Sequence, residues 1–163
     1  MDYKTMRKEF EDRLHAAMDT PELFYAFSNE QFDDGVRRAR EAGYDGTFCI
    51  GPAGMFGSKA VMDELVRLTR EHRLELLKAM EDPAFAVPAF KHEMWNHEYA
   101  YNWDGFEDVM ECFNYELGPE EEHEDGTVTR KVTHMVTHEA MSPSVIESFN
   151  KARSEYYAEC GEF

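Results

Sequence analysis

Apolar side chains recur at helical intervals over much of the chain. Between about Lys4 and Met18, Met6, Phe10, Leu14 and Ala17 share one face, and Asp19-Thr20-Pro21 stops the run because proline disfavours helix in the residue before it. Residues 23–27, Leu-Phe-Tyr-Ala-Phe, form a short aromatic run with strand character. Ser28 and Gln31 follow at capping-box spacing ahead of Phe32 and Val36, which predicts a helix ending at Gly43. Thr47-Phe48-Cys49-Ile50 reads as a second short buried strand. A glycine-rich turn from Gly51 to Gly57 then leads to Ser58, the N-cap of a helix in which Val61, Leu65, Leu68, His72 and Leu76 repeat through Met80.

After Asp82-Pro83, residues 84–101 place Phe85, Ala89, Phe90, Met94, Trp95, Tyr99 and Ala100 in a helical pattern that Pro88 starts or kinks. Asp104 caps a shorter segment carrying Phe106, Val109, Met110 and Phe113. Residues 118–126, Gly-Pro followed by an acidic run, predict a solvated loop or hairpin tip. Residues 127–137 alternate with the β-branched Val128, Val132 and Val136 and read as a strand. Ser142-Pro143 opens a last helix through Tyr157, with Val145, Phe149 and Tyr156 on one side. These elements predict one compact α+β domain over residues 1–163, about five helices packed with a small sheet of three or four short strands. So few strands argue against a doubly wound nucleotide-binding sheet.

Composition supports a folded chain: hydrophobic residues make up 42% of the total, among them 12 Phe, 8 Tyr and 10 Met. The three cysteines, Cys49, Cys112 and Cys160, are widely spaced and carry neither a disulfide framework nor a zinc-ribbon pattern. A reducing compartment is expected. With a polar, amphipathic start and no run near the roughly 18 apolar residues of a membrane span, the expected location is the cytoplasm of a bacterial host, with no membrane contact. Charge changes the picture most, because 34 acidic residues face 17 basic ones and the excess is concentrated. Residues 92–129 hold 12 acidic residues and no Lys or Arg.

Several groups could carry chemistry. The turn from Gly51 to Lys59 lies between a predicted strand and helix, the setting of phosphate-cradling loops, yet it matches neither the Walker order nor G-x-G-x-x-G. A tight turn before a capped helix accounts for it. His92-Glu93-Met94-Trp95-Asn96-His97-Glu98 is the densest polar cluster, and on a helix Glu93 and His97 stand one turn apart, where they could share a metal. A third ligand would come from His123, His134 or His138; the alternative is structural hydrogen bonding by Asn96 or His97. His134 and His138 share one face of a strand and read as exposed edge residues. Cys49 and Cys112 read as small core residues rather than nucleophiles.

The acidic stretch offers a candidate partner-binding surface made of Glu98, Asp104, Glu107, Asp108, Glu111, Glu116, Glu120, Glu121, Glu122, Glu124 and Asp125. Its field attracts a basic groove and repels nucleic acid. Interleaved aromatics, among them Trp95, Tyr101 and Trp103, are of the types that anchor interfaces. The alternative is a core of aromatics beneath a solvated acidic face.

At residues 24–35, Phe-Tyr-Ala-Phe-Ser-Asn-Glu-Gln-Phe-Asp-Asp-Gly, at the glycine-rich turn after Ile50 and at Asn96-His97-Glu98-Tyr99, the chain resembles small acidic proteins of phages and mobile elements of gut bacteria. The similarity covers about residues 22–115 and brings no catalytic residue with it. That group includes anti-CRISPR inhibitors, and the resemblance implies a non-enzymatic inhibitor without cofactor. Its expected partner is a basic nucleic-acid-handling protein, in the most specific form Cas9 with its guide RNA. The competing expectation is a metal-dependent hydrolase or metal-binding protein using His92, Glu93, His97 and Glu98.

Overall fold

A computed structural model describes residues 1–161. In chain order the elements are α1 (Tyr3–Met18), β1 (Leu23–Tyr25), α2 (Asn29–Glu41), β2 (Cys49–Ile50), β3 (Met55–Gly57), α3 (Lys59–Ala79), α4 (Pro83–Asn96), α5 (Gly105–Cys112), β4 (Tyr115–Glu122), β5 (Val128–His134) and α6 (Pro143–Cys160). The class is α+β: six helices, one sheet of three strands and one of two among the described residues. The chain divides into two compact units, Arg7–Glu71 and a second formed by Met1–Met6 with the described residues from His72 onward.

In the unit Arg7–Glu71 the local signals set the elements. Ser28 caps α2 by accepting the Gln31 N–H, while the Gln31 side chain reaches back to the N–H of Phe27 rather than that of Ser28. The three strands run antiparallel in the order β1-β3-β2, with Phe24 opposite Phe56 and Ile50 also opposite Phe56. Aromatic rings fasten the sheet to α2: Phe24 stacks on Phe56 at 5.7 Å, and Phe32 meets Phe56 edge-on at 5.0 Å. The expected buried strand at 47–50 is shorter and lies on the surface, so Cys49 and Ile50 are exposed and Cys49 is no core residue. Among the described residues β2 is an edge of the sheet. The glycine-rich segment holds a strand that its composition conceals, β3, reached through a short turn in which Ala53 and Gly54 adopt positive φ. Ser58 then caps α3, accepting the Val61 N–H.

The other unit is built on α4. Its sequence is apolar nearly all round, and Ala86, Val87, Ala89, Phe90 and Met94 are buried. Against it packs α6 through Val145, Phe149, Ala152 and Tyr156; Phe90 meets Phe149 edge-on at 5.3 Å and Phe113 at 4.7 Å. Asp82 does not merely end the preceding helix: its carboxylate accepts the Ala84 N–H and caps α4. Pro88 lies inside α4, and the helix stops at Asn96, five residues short of the sequence boundary, with Glu98 in the left-handed region at φ 49. Residues 118–126 are not a loop throughout. β4 runs to Glu122 and pairs antiparallel with β5, Glu120 opposite Arg130, with a register shift between Leu117 and Glu120 that houses Gly118 and Pro119.

His134 departs from expectation. It is buried at the end of β5, its Nδ1 accepts the N–H groups of Val136 and Thr137 at 3.2 and 3.4 Å, and its ring meets Tyr115 edge-on. His138 alone of the pair is exposed, past the strand at φ 59.

Candidate metal centre

Among the described residues of this unit, Glu93 is the one charged side chain that is fully buried, with only 1% of its surface exposed, and burial makes it costly. It sits on the last full turn of α4, and its two oxygens are held separately. Oε1 accepts the hydroxyl of Tyr3 at 2.7 Å; Oε2 accepts the side-chain amide of Asn96 at 3.1 Å. One helical turn on, His97 caps α4 and turns its Nε2 toward the same carboxylate, 3.6 Å from Oε2. The spacing read from the sequence thus brings Glu93 and His97 together.

The third member comes from α5. Phe113 packs into the core beside Phe90, and that anchoring leaves Cys112, the last residue of α5, half-buried with its Sγ 3.3 Å from His97 Nε2. One ligand atom from each of Glu93, His97 and Cys112 lies within 4.8 Å of the others. The remaining imidazole nitrogen, Nδ1, faces Asp108 Oδ2 at 3.9 Å, and that oxygen accepts the Asn102 amide at 2.7 Å. Asp108 stands in the first turn of α5, where the helix dipole favours a carboxylate. Tyr3 thus holds the Glu93 oxygen not aimed at the common centre, and Asp108, itself held by Asn102, lies on the Nδ1 side of His97 beyond hydrogen-bond distance.

Chemically this set of a thiol, an imidazole and a carboxylate suits a borderline divalent ion. A tetrahedral Zn²⁺ with bonds of about 2.0–2.3 Å separates its ligand atoms by roughly 3.3–3.6 Å. The Sγ to Nε2 and Nε2 to Oε2 distances, 3.3 and 3.6 Å, fall in that range. The Asp108 carboxylate lies on the side of the imidazole where metal-bound histidines have their outer partner, though at 3.9 Å it makes no hydrogen bond to Nδ1.

A model of the family of unknown function DUF7659 matches residues 6–138. The chain belongs to that family. The part matched to DUF7659 contains Glu93, His97, Asp108 and Cys112, whereas Tyr3 lies before it. No match was found among curated proteins or among solved structures.

The structure redistributes the other sequence candidates. His92 turns to the Asn96 amide at 3.1 Å and to the Tyr3 ring, and Glu98 lies exposed in the turn after α4, so neither joins the ligand set. His123 contacts Thr129 on its own hairpin, 2.7 Å from its hydroxyl, and neither His134 nor His138 supplies the third ligand. Cys112 was missed as a ligand because it lies 15 residues from His97 in an apolar helix, with no motif joining the two.

Among the acidic candidates, Asp104 is the N-cap residue of α5 without a capping bond from its side chain, and Glu107, Asp108 and Glu111 lie along that helix. Glu107 approaches Arg130 at 4.0 Å. Glu116, Glu120, Glu121 and Glu122 are exposed along β4, and Glu124 and Asp125 occupy the turn, where Asp125 accepts the N–H and hydroxyl of Thr127. The stretch that lacks Lys and Arg in sequence acquires a cation from β5, where Arg130 stands across from Glu120 and donates to the Gly118 carbonyl at 2.8 Å.

Proposed function

We propose that the chain binds one divalent ion of the Zn²⁺ class through Glu93, His97 and Cys112, with the fourth position open to water. The observation that carries this is the convergence of the three ligand atoms within 4.8 Å around a buried carboxylate whose other oxygen is already held by Tyr3. Three protein ligands and a free position are the arrangement of catalytic rather than structural zinc, and water bound there loses its proton near neutral pH. Hydrolysis is the reaction class this supports. The expected result is one equivalent of Zn²⁺ per chain, with Co²⁺ giving a thiolate-to-metal absorption band. Cys112→Ser and His97→Ala lose both signals, whereas His92→Ala keeps them. Less than about a tenth of an equivalent bound at micromolar free Zn²⁺, with no cobalt band, removes the proposal.

A second reading is the inhibitor that meets a basic nucleic-acid-handling protein, Cas9 with its guide in the most specific form. What favours it is the run of exposed carboxylates at Glu120, Glu121 and Glu122 on β4. Reversing Glu120, Glu121, Glu122 and Glu124 to Lys is expected to abolish capture of Cas9 with its guide at low salt and to leave the far-ultraviolet circular dichroism unchanged. Equal capture by parent and variant, or none by the parent, eliminates this version.

A further inference from the structure

The loop between α4 and α5 gathers exposed aromatic rings. Trp103 has its whole side chain in solvent, at 101% relative exposure, and Tyr101 is at 72%. Isolated apolar side chains on a surface are ordinary, but a group of large rings around a concavity marks a binding surface. Here the concavity is a cavity of about 500 Å³ lined by Tyr99, Tyr101, Asn102, Trp103, Phe106 and Tyr157, with Ala100 between them. Tyr99 and Tyr157 meet at 66° with centroids 6.3 Å apart, forming a corner, and Phe106 is anchored against Phe149 at 5.5 Å. The inner wall is thus fixed by the core and the rim is open.

Charge decides what such a corner would take. In sequence the loop runs between Glu98 and Asp104, both exposed though neither lines the cavity, and residues 92–129 contain no Lys or Arg. Arg153 of α6 lies over the Phe149 ring and reaches the hydroxyl of Tyr99, so one cation already stands behind a lining ring, while the remaining rings carry no cation among the lining residues. Nucleic-acid bases would stack on these rings, but their phosphates would meet an acidic field. A cation without strongly held water suits such a site, because the face of an aromatic ring attracts positive charge.

We propose that this cavity binds an alkylated ammonium group. Two sources share that chemistry, a free quaternary amine and a methylated lysine side chain. The site is distinct from the Glu93–His97–Cys112 cluster, and its test needs no metal.

The test is an NMR titration of the full chain, reading the indole N–H of Trp103, with choline, with a peptide containing trimethyl-lysine, and with 3,3-dimethylbutan-1-ol as the uncharged isostere of choline. A saturable shift with at least one cationic probe is expected, and the neutral isostere binds at least roughly tenfold more weakly. The stronger cationic arm identifies the source. Trp103→Leu, followed through backbone amides of the loop, is expected to weaken binding at least about fivefold, and Asp104→Asn by a smaller factor. No saturation by either cation below roughly 10 mM overturns the proposal, as does equal affinity for the isostere. Unchanged binding by Trp103→Leu overturns it too, because mere charge attraction would not need the ring.

Discussion

The surroundings of His134 fix which ring nitrogen carries its proton. Because Nδ1 accepts two backbone N–H groups, the proton of the neutral ring sits on Nε2, which is buried and has no hydrogen-bond partner among the described residues. Burial, with the positive charge of Arg73 nearby, lowers its pKa from 6.5 despite the opposing pull of Glu139. The unfolded chain therefore takes up this proton at a higher pH than the folded one does. Stability from the neutral ring is whole above about 6.5, declines as pH falls below that value, and levels off once the folded form also titrates. Urea unfolding midpoints are expected to fall from pH 7.5 to 5.5. In His134→Asn, whose side-chain oxygen can accept the same N–H groups, that dependence is expected to shrink; an equal slope in both proteins would assign it elsewhere. The sequence placed His134 on a strand but not its burial, since its neighbours Thr133 and Met135 do not tell which face is covered. Cys112 was hidden for a related reason: a ligand set assembled from two helices leaves no spacing to read.

At the scale of elements, caps and apolar periodicity were legible and weak strands were not. Ser28, Ser58 and Ser142 each cap the helix their position announced, and Val145, Phe149 and Tyr156 are buried on α6 as their spacing implied. β4 is rich in Gly, Pro and Glu, which have little strand preference, and β3 is only three residues long inside a glycine-rich turn; β3 is made a strand by partners on both sides, β4 by β5. The junction of β1 and α2 shows how closely such elements fit. Gly35 lies in the middle of α2, where alanine would favour the helix by about 1 kcal/mol, but a Cβ there would stand 2.2 Å from the Phe24 ring. Phe24 cannot yield easily, being held among Phe32, Phe48 and Phe56. Gly35→Ala is therefore expected to destabilise the chain by about 1–3 kcal/mol in denaturant titrations, and an unchanged or raised midpoint would show that the ring gives way at little cost.

For the whole molecule, composition conveyed class and charge but not arrangement. The α+β class followed from the mix of helical periods and short β-branched runs, and no helix among the described residues is long and apolar enough to cross a membrane. In sequence the acidic stretch is one continuous run. In space it separates into a helix whose Glu107 and Asp108 suit its N-terminal dipole, a turn closed by Asp125, and a strand paired through Glu120 with Arg130.

That strand has a further consequence. A two-stranded ribbon presents an open row of backbone donors and acceptors along each outer side, a template on which another chain can add. On β5 the Ala140 bridge to Thr133 occupies part of that row. On β4, Pro119 removes one donor, the register shift bends the strand, and Glu120, Glu121 and Glu122 would confront their own copies in an approaching molecule. The carboxylates that make this hairpin look like bait for a basic partner also keep it from sticking to itself.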